Sequence, residues 1–218
     1  MRTKLGSGLG MTSAAPTLLL LLCGAAGSTA IIRGAAARSF TVDQAQSHAT
    51  IDVGKSGVLS FAAGHTHEVL APVIAGAITV DPANPSRSTV RVQIDASALK
   101  VTGKGESAGD VPKVQQAMAS DQVLNVRRYP TIVFESRAVA VKGAPGATLG
   151  LIITGDLTLH GVARPLSVPV SVRIDESTLT ATGHFSLKQT DYGIKPVSVG
   201  GVVSVKDTVE ISFTIVGR

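Results

Sequence analysis

The sequence predicts an all-β domain with one short helix, an eight-stranded antiparallel β-barrel. Three observations lead there. From residue 39 onward, runs of alternating apolar and polar residues recur between turn residues, the signature of strands with one dry and one wet face. The apolar positions are filled by Val, Ile, Leu and Ala; aromatics make up 3% and Trp is absent. β-branched side chains suit a pleated, half-buried surface. No helical pattern alternates with the runs, and the runs are not continuously apolar as buried parallel strands would be. About eight such strands either stack as a sandwich or close into a barrel, and only closure removes the edges.

In chain order, residues 1–37 read as a secretory signal. Arg2 and Lys4 form a charged start, Thr17–Cys23 the centre of a short apolar stretch, and Ser28-Thr29-Ala30 and Ala35-Ala36-Ala37 offer two cleavage sites, after Ala30 or Ala37. The apolar stretch is shorter than the roughly 20 residues of a comfortable membrane span. An uncleaved anchor and a lipoprotein acylated at Cys23 are the alternatives; Leu22 stands where the latter wants a small residue. Cys23 is the single cysteine, so the mature domain, 38–218, is expected to have no disulfide and no thiolate ligand. Removing the segment takes away Arg2, Lys4 and Arg33 and lowers the formal charge from +5 to +2. With no basic run interleaved with aromatics, nucleic acid is not an expected partner. The expected location is periplasmic or secreted.

The strand signals follow. Leu59, Phe61 and Ala63 alternate with polar or small residues, as do Val90, Val92 and Ile94; Ile132, Phe134 and Ser136; Leu166 through Ile174; Leu179 through Leu187; and Val209 through Ile215. Asp81–Ser86 and Lys142–Gly146 read as loops, Asp175-Glu176-Ser177 and Gly200-Gly201 as hairpin turns. One helix is expected after Asp110 as N-cap and Pro112 in its first turn. Its apolar stripe is Val111, Val114, Ala117, Met118 and Leu124, and Asn125 ends it. Small inward residues leave room inside an eight-stranded barrel, whose interior is either filled by side chains or holds one small ligand.

Chemistry-bearing residues are sparse. In Gly64-His65-Thr66-His67-Glu68, a strand would put His65 and His67 on one face, ~6.8 Å apart. Two imidazoles so placed are candidate zinc ligands, but a third is required; the plain alternative is a hydrogen-bonded and a solvated ring at a strand end. Carboxylates such as Glu68, Asp156, Asp191 and Asp207 are scattered at strand ends and turns, and no nucleophile elbow or phosphate loop is present. No catalytic residue and no cofactor are expected. Asp156, Thr158 and His160 share one strand face, Leu157 and Leu159 the other.

Several spaced stretches carry a resemblance. They are Phe40-Thr-Val-Asp43 with Ser47 and His48; Phe61 and His65 with a returning strand through Gly76; Val90–Asp95 with Leu99; Tyr129–Ser136; Gly155-Asp-Leu-Thr-Leu-His-Gly161; and Asp191-Tyr-Gly-Ile194. In this order they resemble the YceI-like family of lipocalin-like, polyisoprenoid-binding proteins, from about Phe40 to the C-terminus. The resemblance implies an extended eight-stranded barrel beside a helix, and an apolar tunnel for a polyisoprenoid or isoprenoid-quinone chain. No catalytic residues come with it. The expected lining is Leu59, Phe61, Val92, Ile132, Phe134, Leu157, Phe185 and Phe213, with His65 as a head-group contact. A long-chain isoprenoid lipid is the implied partner; transient membrane contact and a homodimer are compatible with that. Two departures stand out: the His65–Glu68 stretch is more polar than the family's, and its Arg-Asp pair ahead of the helix reads Gly109-Asp110. The rival readings are a metal-binding barrel or metal-dependent enzyme using His65 and His67, and a surface protein with a filled core.

Overall fold

Two tight hairpins show how the local sequence sets the register. In the first, Leu149–Leu159 (labelled β7 in chain order) runs into Val162–Asp175 (β8) through His160-Gly161. Both turn residues have positive φ, +52° and +76°, the left-handed pair that matches the twist of a two-residue hairpin. At Gly161 a Cβ would also lie 2.4 Å from the Tyr129 ring, so glycine is required twice over. In the second, β8 turns through Glu176-Ser177 into Thr178–Lys188 (β9), again with a positive φ, +45° at Glu176.

The computed structural model describes residues 36–56, 66–143, 146, 148–199 and 203–218, all within one unit, Arg33–Arg218. Besides these three strands it contains Arg38–Thr41 (β1), His48–Ser56 (β2), His67–Val80 (β3), Thr89–Asp95 (β4), Lys100–Val101 (β5), Thr131–Val141 (β6), Ser198–Val199 (β10) and Val203–Gly217 (β11), with one α-helix, Val111–Ala119 (α1). Every pairing is antiparallel. Eight strands follow one another as β3-β2-β11-β9-β8-β7-β6-β4, and pairing of β3 with β4 closes the ring. The expected eight-stranded antiparallel barrel with a single helix is the observed fold. The alternation of Leu59 to Ala63, the Gly200-Gly201 turn and residues 1–35 lie outside the described residues; β10 and β11 pair on either side of that turn.

One stave of the barrel is spliced. β1 and β2 both lie along β3, separated by Val42–Ser47. The break interrupts the ladder opposite Val216, whose carbonyl still accepts the Asp43 N–H at 2.8 Å. Ser47, 2% exposed, repairs it: its hydroxyl donates to the Val216 carbonyl (3.2 Å) and accepts the Val216 N–H (2.9 Å). Asp43 holds the excursion by accepting the amides of Ala45 and Gln46.

Bulges reset the alternation where the sequence pattern would mislead. In β6 the register shifts between Ser136 and Ala138. Phe134 therefore faces inward before the bulge and Val139 after it, a change of parity that one extra residue produces.

The helix departs from expectation in two details. Asp110 occupies the N-cap position in αR geometry without a side-chain cap; its carboxylate instead meets Ser107 and Lys113. The helix stops at Ala119, where the Ser120 hydroxyl bonds the Ala117 carbonyl, and Leu124 reaches the core from the turns that follow.

Candidate functional site

The interior divides along the barrel axis. Toward the helix, Val111, Val114 and Met118 of α1, with Leu99, Leu124, Tyr192 and Ile194 from the connections, pack on Val69, Ala71, Val209 and Ile211 and fill the barrel. Toward the other end the interior is not filled. A cavity of about 150 Å³ lies there, walled by inward residues of seven barrel strands and by Ala49 of β2. Among the described residues its one polar wall residue is Ser88, whose hydroxyl accepts the Asp81 N–H at 3.1 Å. Val90, Val92, Ile94, Phe134, Leu149, Leu166, Phe185 and Phe213 point inward yet remain partly exposed. Such surface inside a closed barrel has lost its contact partners on one side. A wall without charge offers a guest chiefly dispersion contacts and burial.

Among the residues expected to line the interior, Val92, Phe134, Leu157, Phe185 and Phe213 are on the cavity wall. Ile132 is not. It starts β6 at the helix end, where the connections bring in side chains, and packs in the filled cluster instead. Leu59, Phe61 and His65 lie outside the described residues. Val139, Leu149, Leu151 and Ile153 also stand on the wall without a signal in the alternation, because the bulge and the run Leu149–Ile153 hide their parity.

His67 starts β3 and continues its inward set Val69, Ala71 and Val73. Its Nδ1 lies 3.0 Å from Oε1 of Glu106, whose side chain is 1% exposed. The two are in contact without hydrogen-bond alignment, and among the described residues the second Glu106 oxygen has no hydrogen-bond partner. The turn carrying Glu106 is anchored on Glu68: the Glu68 carbonyl accepts the Thr102 N–H, while its carboxylate accepts Thr102 Oγ1 at 3.0 Å and pairs with Lys104 Nζ at 2.8 Å. The Lys104 and Thr102 bonds hold the Glu68 carboxyl below its ordinary pKa and, reciprocally, Glu68 raises that of Lys104. Glu106 is the partner that sequence reasoning missed. The only trace of it is Thr102-Gly-Lys-Gly-Glu106, with both glycines at positive φ. The cavity wall does not reach this pair. Among the described residues no three His, Cys, Asp or Glu side chains gather as a metal site.

Three of the spaced stretches meet at one corner. The Tyr129 ring packs edge-on against His160 (centroids 4.6 Å), and His160 Nδ1 lies 3.1 Å from the Tyr192 carbonyl. Tyr192 is 3% exposed, and burial pushes its hydroxyl pKa up. None of the three touches the cavity; they fix the barrel corner beside the filled half.

Comparison with known proteins agrees with this architecture. The chain is 31% identical over 126 residues to a UPF0312 protein of Pseudomonas aeruginosa, a match covering 55% of this chain and 59% of that protein's length. It is 27% identical over 148 residues to a UPF0312 protein of Pseudomonas syringae, covering 65% and 68%. Among solved structures, BcnA of Burkholderia cenocepacia superposes with a TM-score of 0.60 at 22% identity, over 81% of this chain and 99% of that one. A polyisoprenoid binding domain from Saccharophagus degradans superposes with a TM-score of 0.58 at 13% identity, over 82% and 97%. At these identities the structures speak for the fold alone. The family profile described as YceI-like domain matches residues 40–217, nearly the whole barrel, and the chain belongs to that family.

Proposed function

We propose that this chain is an exported binding protein, not an enzyme, that carries or stores a polyisoprenoid or isoprenoid-quinone chain in its barrel. The observation that carries the reading is the uncharged cavity among half-exposed Val, Ile, Leu and Phe side chains. An apolar chain entering it gains about 0.8 kcal/mol per buried CH₂. The Saccharophagus degradans neighbour, itself called a polyisoprenoid binding domain, supports the same ligand class. Export rests on the leader-like residues 1–37, and a carrier of lipid works against a membrane surface.

Size sharpens the proposal. A cavity of about 150 Å³ matches an engineered void that admits one benzene-sized body, and lies below the ~300–1,000 Å³ of ordinary ligand sites. A chain of several prenyl units therefore enlarges the cavity, by displacing wall side chains or part of the filled half. The test is organic extraction of the purified protein followed by mass spectrometry. A stoichiometric prenyl lipid is expected. Protein that carries none, and takes none from vesicles containing polyprenol or an isoprenoid quinone, overturns the reading.

A further inference from the structure

The barrel wall has a gap. β8 pairs with β7 without interruption from Val162 to Val172, but with β9 only from Val170↔Gly183 to Asp175↔Thr178. β9 continues to Lys188 paired only with β11. Residues 162–169 and 184–188 are thus neighbouring stretches of wall without a ladder between them, over about 17 Å of strand.

Sequence and packing both treat this gap as permanent. In a two-residue hairpin the flanking pair, here Leu159 and Val162, exchanges hydrogen bonds, and the exchange recurs at every second residue. Pro165 and Pro169, three and seven residues beyond Val162, have the opposite parity and turn their nitrogens toward β9. They remove two donors from the open edge while leaving the β7 ladder intact, which also blocks pairing with a foreign strand. The gap is bounded. One end is the Val170–Gly183 pair, where Gly183 lets the Phe213 ring approach to 2.5 Å of the site of a Cβ. The other is the turn Gln189–Tyr192, strapped to β8 by Arg164 Nε donating to the Asp191 carbonyl (3.0 Å) and to β11 by Thr190 donating to Asp207. On its inner side stand Leu166 of β8 and Phe185 of β9, both on the cavity wall and both partly exposed. Toward the helix lies the filled cluster, and Phe40, Val80 and Leu179, at 4%, 7% and 1% exposure, lie toward the other end.

We propose that the gap between β8 and β9 is a lateral portal through which an apolar chain passes between a lipid surface and the cavity. The inference rests on the chain-binding reading above. Leu166 and Phe185, with the buried Val168 of β8, act as its gate, since these wall side chains stand between the cavity and the unpaired strands.

The test bridges the gap. Continuing the β8–β9 register places Ser167 opposite Ser186, both exposed. The double variant Ser167→Cys/Ser186→Cys, in a Cys23→Ser background, is joined by a short cleavable bis-thiol reagent. Its control is Ser171→Cys/Thr182→Cys, a pair on the intact ladder. The probe is fluorescently labelled farnesol in phosphatidylcholine vesicles. Bridging 167 to 186 is expected to slow uptake about tenfold, reversibly on cleavage, while bridging 171 to 182 leaves it unchanged. Where the bridge does not form, a single Ser186→Cys carrying a bulky maleimide slows uptake and the same label at Thr182→Cys does not. Uptake at the unmodified rate with the gap bridged or capped overturns the portal and assigns entry to an end. Absence of uptake by the unmodified protein overturns the chain-binding reading instead.

Discussion

The two halves of the barrel interior are written in the same alternating code and end up different. Both are lined by Val, Ile, Leu and Ala from the same strands. The half beside α1 is solid, whereas the other half encloses a void. The difference comes from the connections. On the helix side, α1, residues 123–126 and the segment through Ile194 add side chains that no strand supplies. On the far side the connections are residues 81–88, residues 142–148 and the turn Glu176-Ser177, and their described residues include no bulky apolar side chain. Whether such a barrel holds a guest is therefore decided outside its strands.

That contrast can be broken experimentally, most severely by truncation. Leu124→Ala, in the solid half, is expected to cost about 2–5 kcal/mol, the usual penalty for a cavity opened in a packed core. Leu149→Ala, on the void's wall, is expected to cost about 1 kcal/mol, because that side chain already lacks partners on one side. Urea unfolding of both variants checks this; equal costs would mean that the halves are equally packed.

Enlargement gives the next largest effect. Ala71 is 1% exposed among packed neighbours, and Ala71→Leu is expected to cost about 1–3 kcal/mol through overpacking. Ala181 faces the void, so Ala181→Leu is expected to change stability by less than about 1 kcal/mol while reducing uptake of a prenyl probe. A destabilisation by Ala181→Leu as large as that by Ala71→Leu would show that the void is not available space.

Acid should sharpen the comparison with a smaller effect. The carboxylates held below their ordinary pKa, Glu68 by Lys104, Asp95 by Ser97 and Asp207 by Thr190, all sit at the helix end. A depressed folded-state pKa contributes stability above the unfolded value, roughly 4 for carboxylates, and loses it as pH falls through the folded value. Lowering the pH from 7 toward 3 is therefore expected to lower amide protection factors, corrected for intrinsic rate, in residues 189–194 before residues 165–172. Asp207→Asn should flatten that dependence; an unchanged profile would remove Asp207 as its source.

The fold was legible because the inward set is periodic: Leu166 to Val172 and Val209 to Ile215 need only parity to be placed. Legibility failed where parity breaks. The β6 bulge conceals Val139, and β2 and β3, with Gly54, Pro72 and Gly76 inside them, carry weak alternation. The returning strand through Gly76 was marked only by the resemblance. Ile132 was misplaced because its neighbours arrive from α1 and the turn after β9, contacts between distant segments that no local pattern records. Glu106 was hidden for the same reason. The gap was foreshadowed only by Pro165 and Pro169, whose meaning depends on which neighbour their nitrogens face.

The spliced stave carries a consequence for assembly. Ser47 bonds Val216, and Thr41 and Arg218 exchange backbone hydrogen bonds of 2.8 and 2.9 Å, so the ring is hooped by joining the first strand of the domain to the last. Closing so long a loop delays that step, and until it happens the cavity does not exist. A guest present during refolding is then wrapped rather than threaded. Refolding from denaturant with labelled farnesol should fill even a protein whose β8–β9 gap is bridged, and the ends of the domain lie close enough for a circular permutant to be opened at the Lys142–Gly146 loop instead.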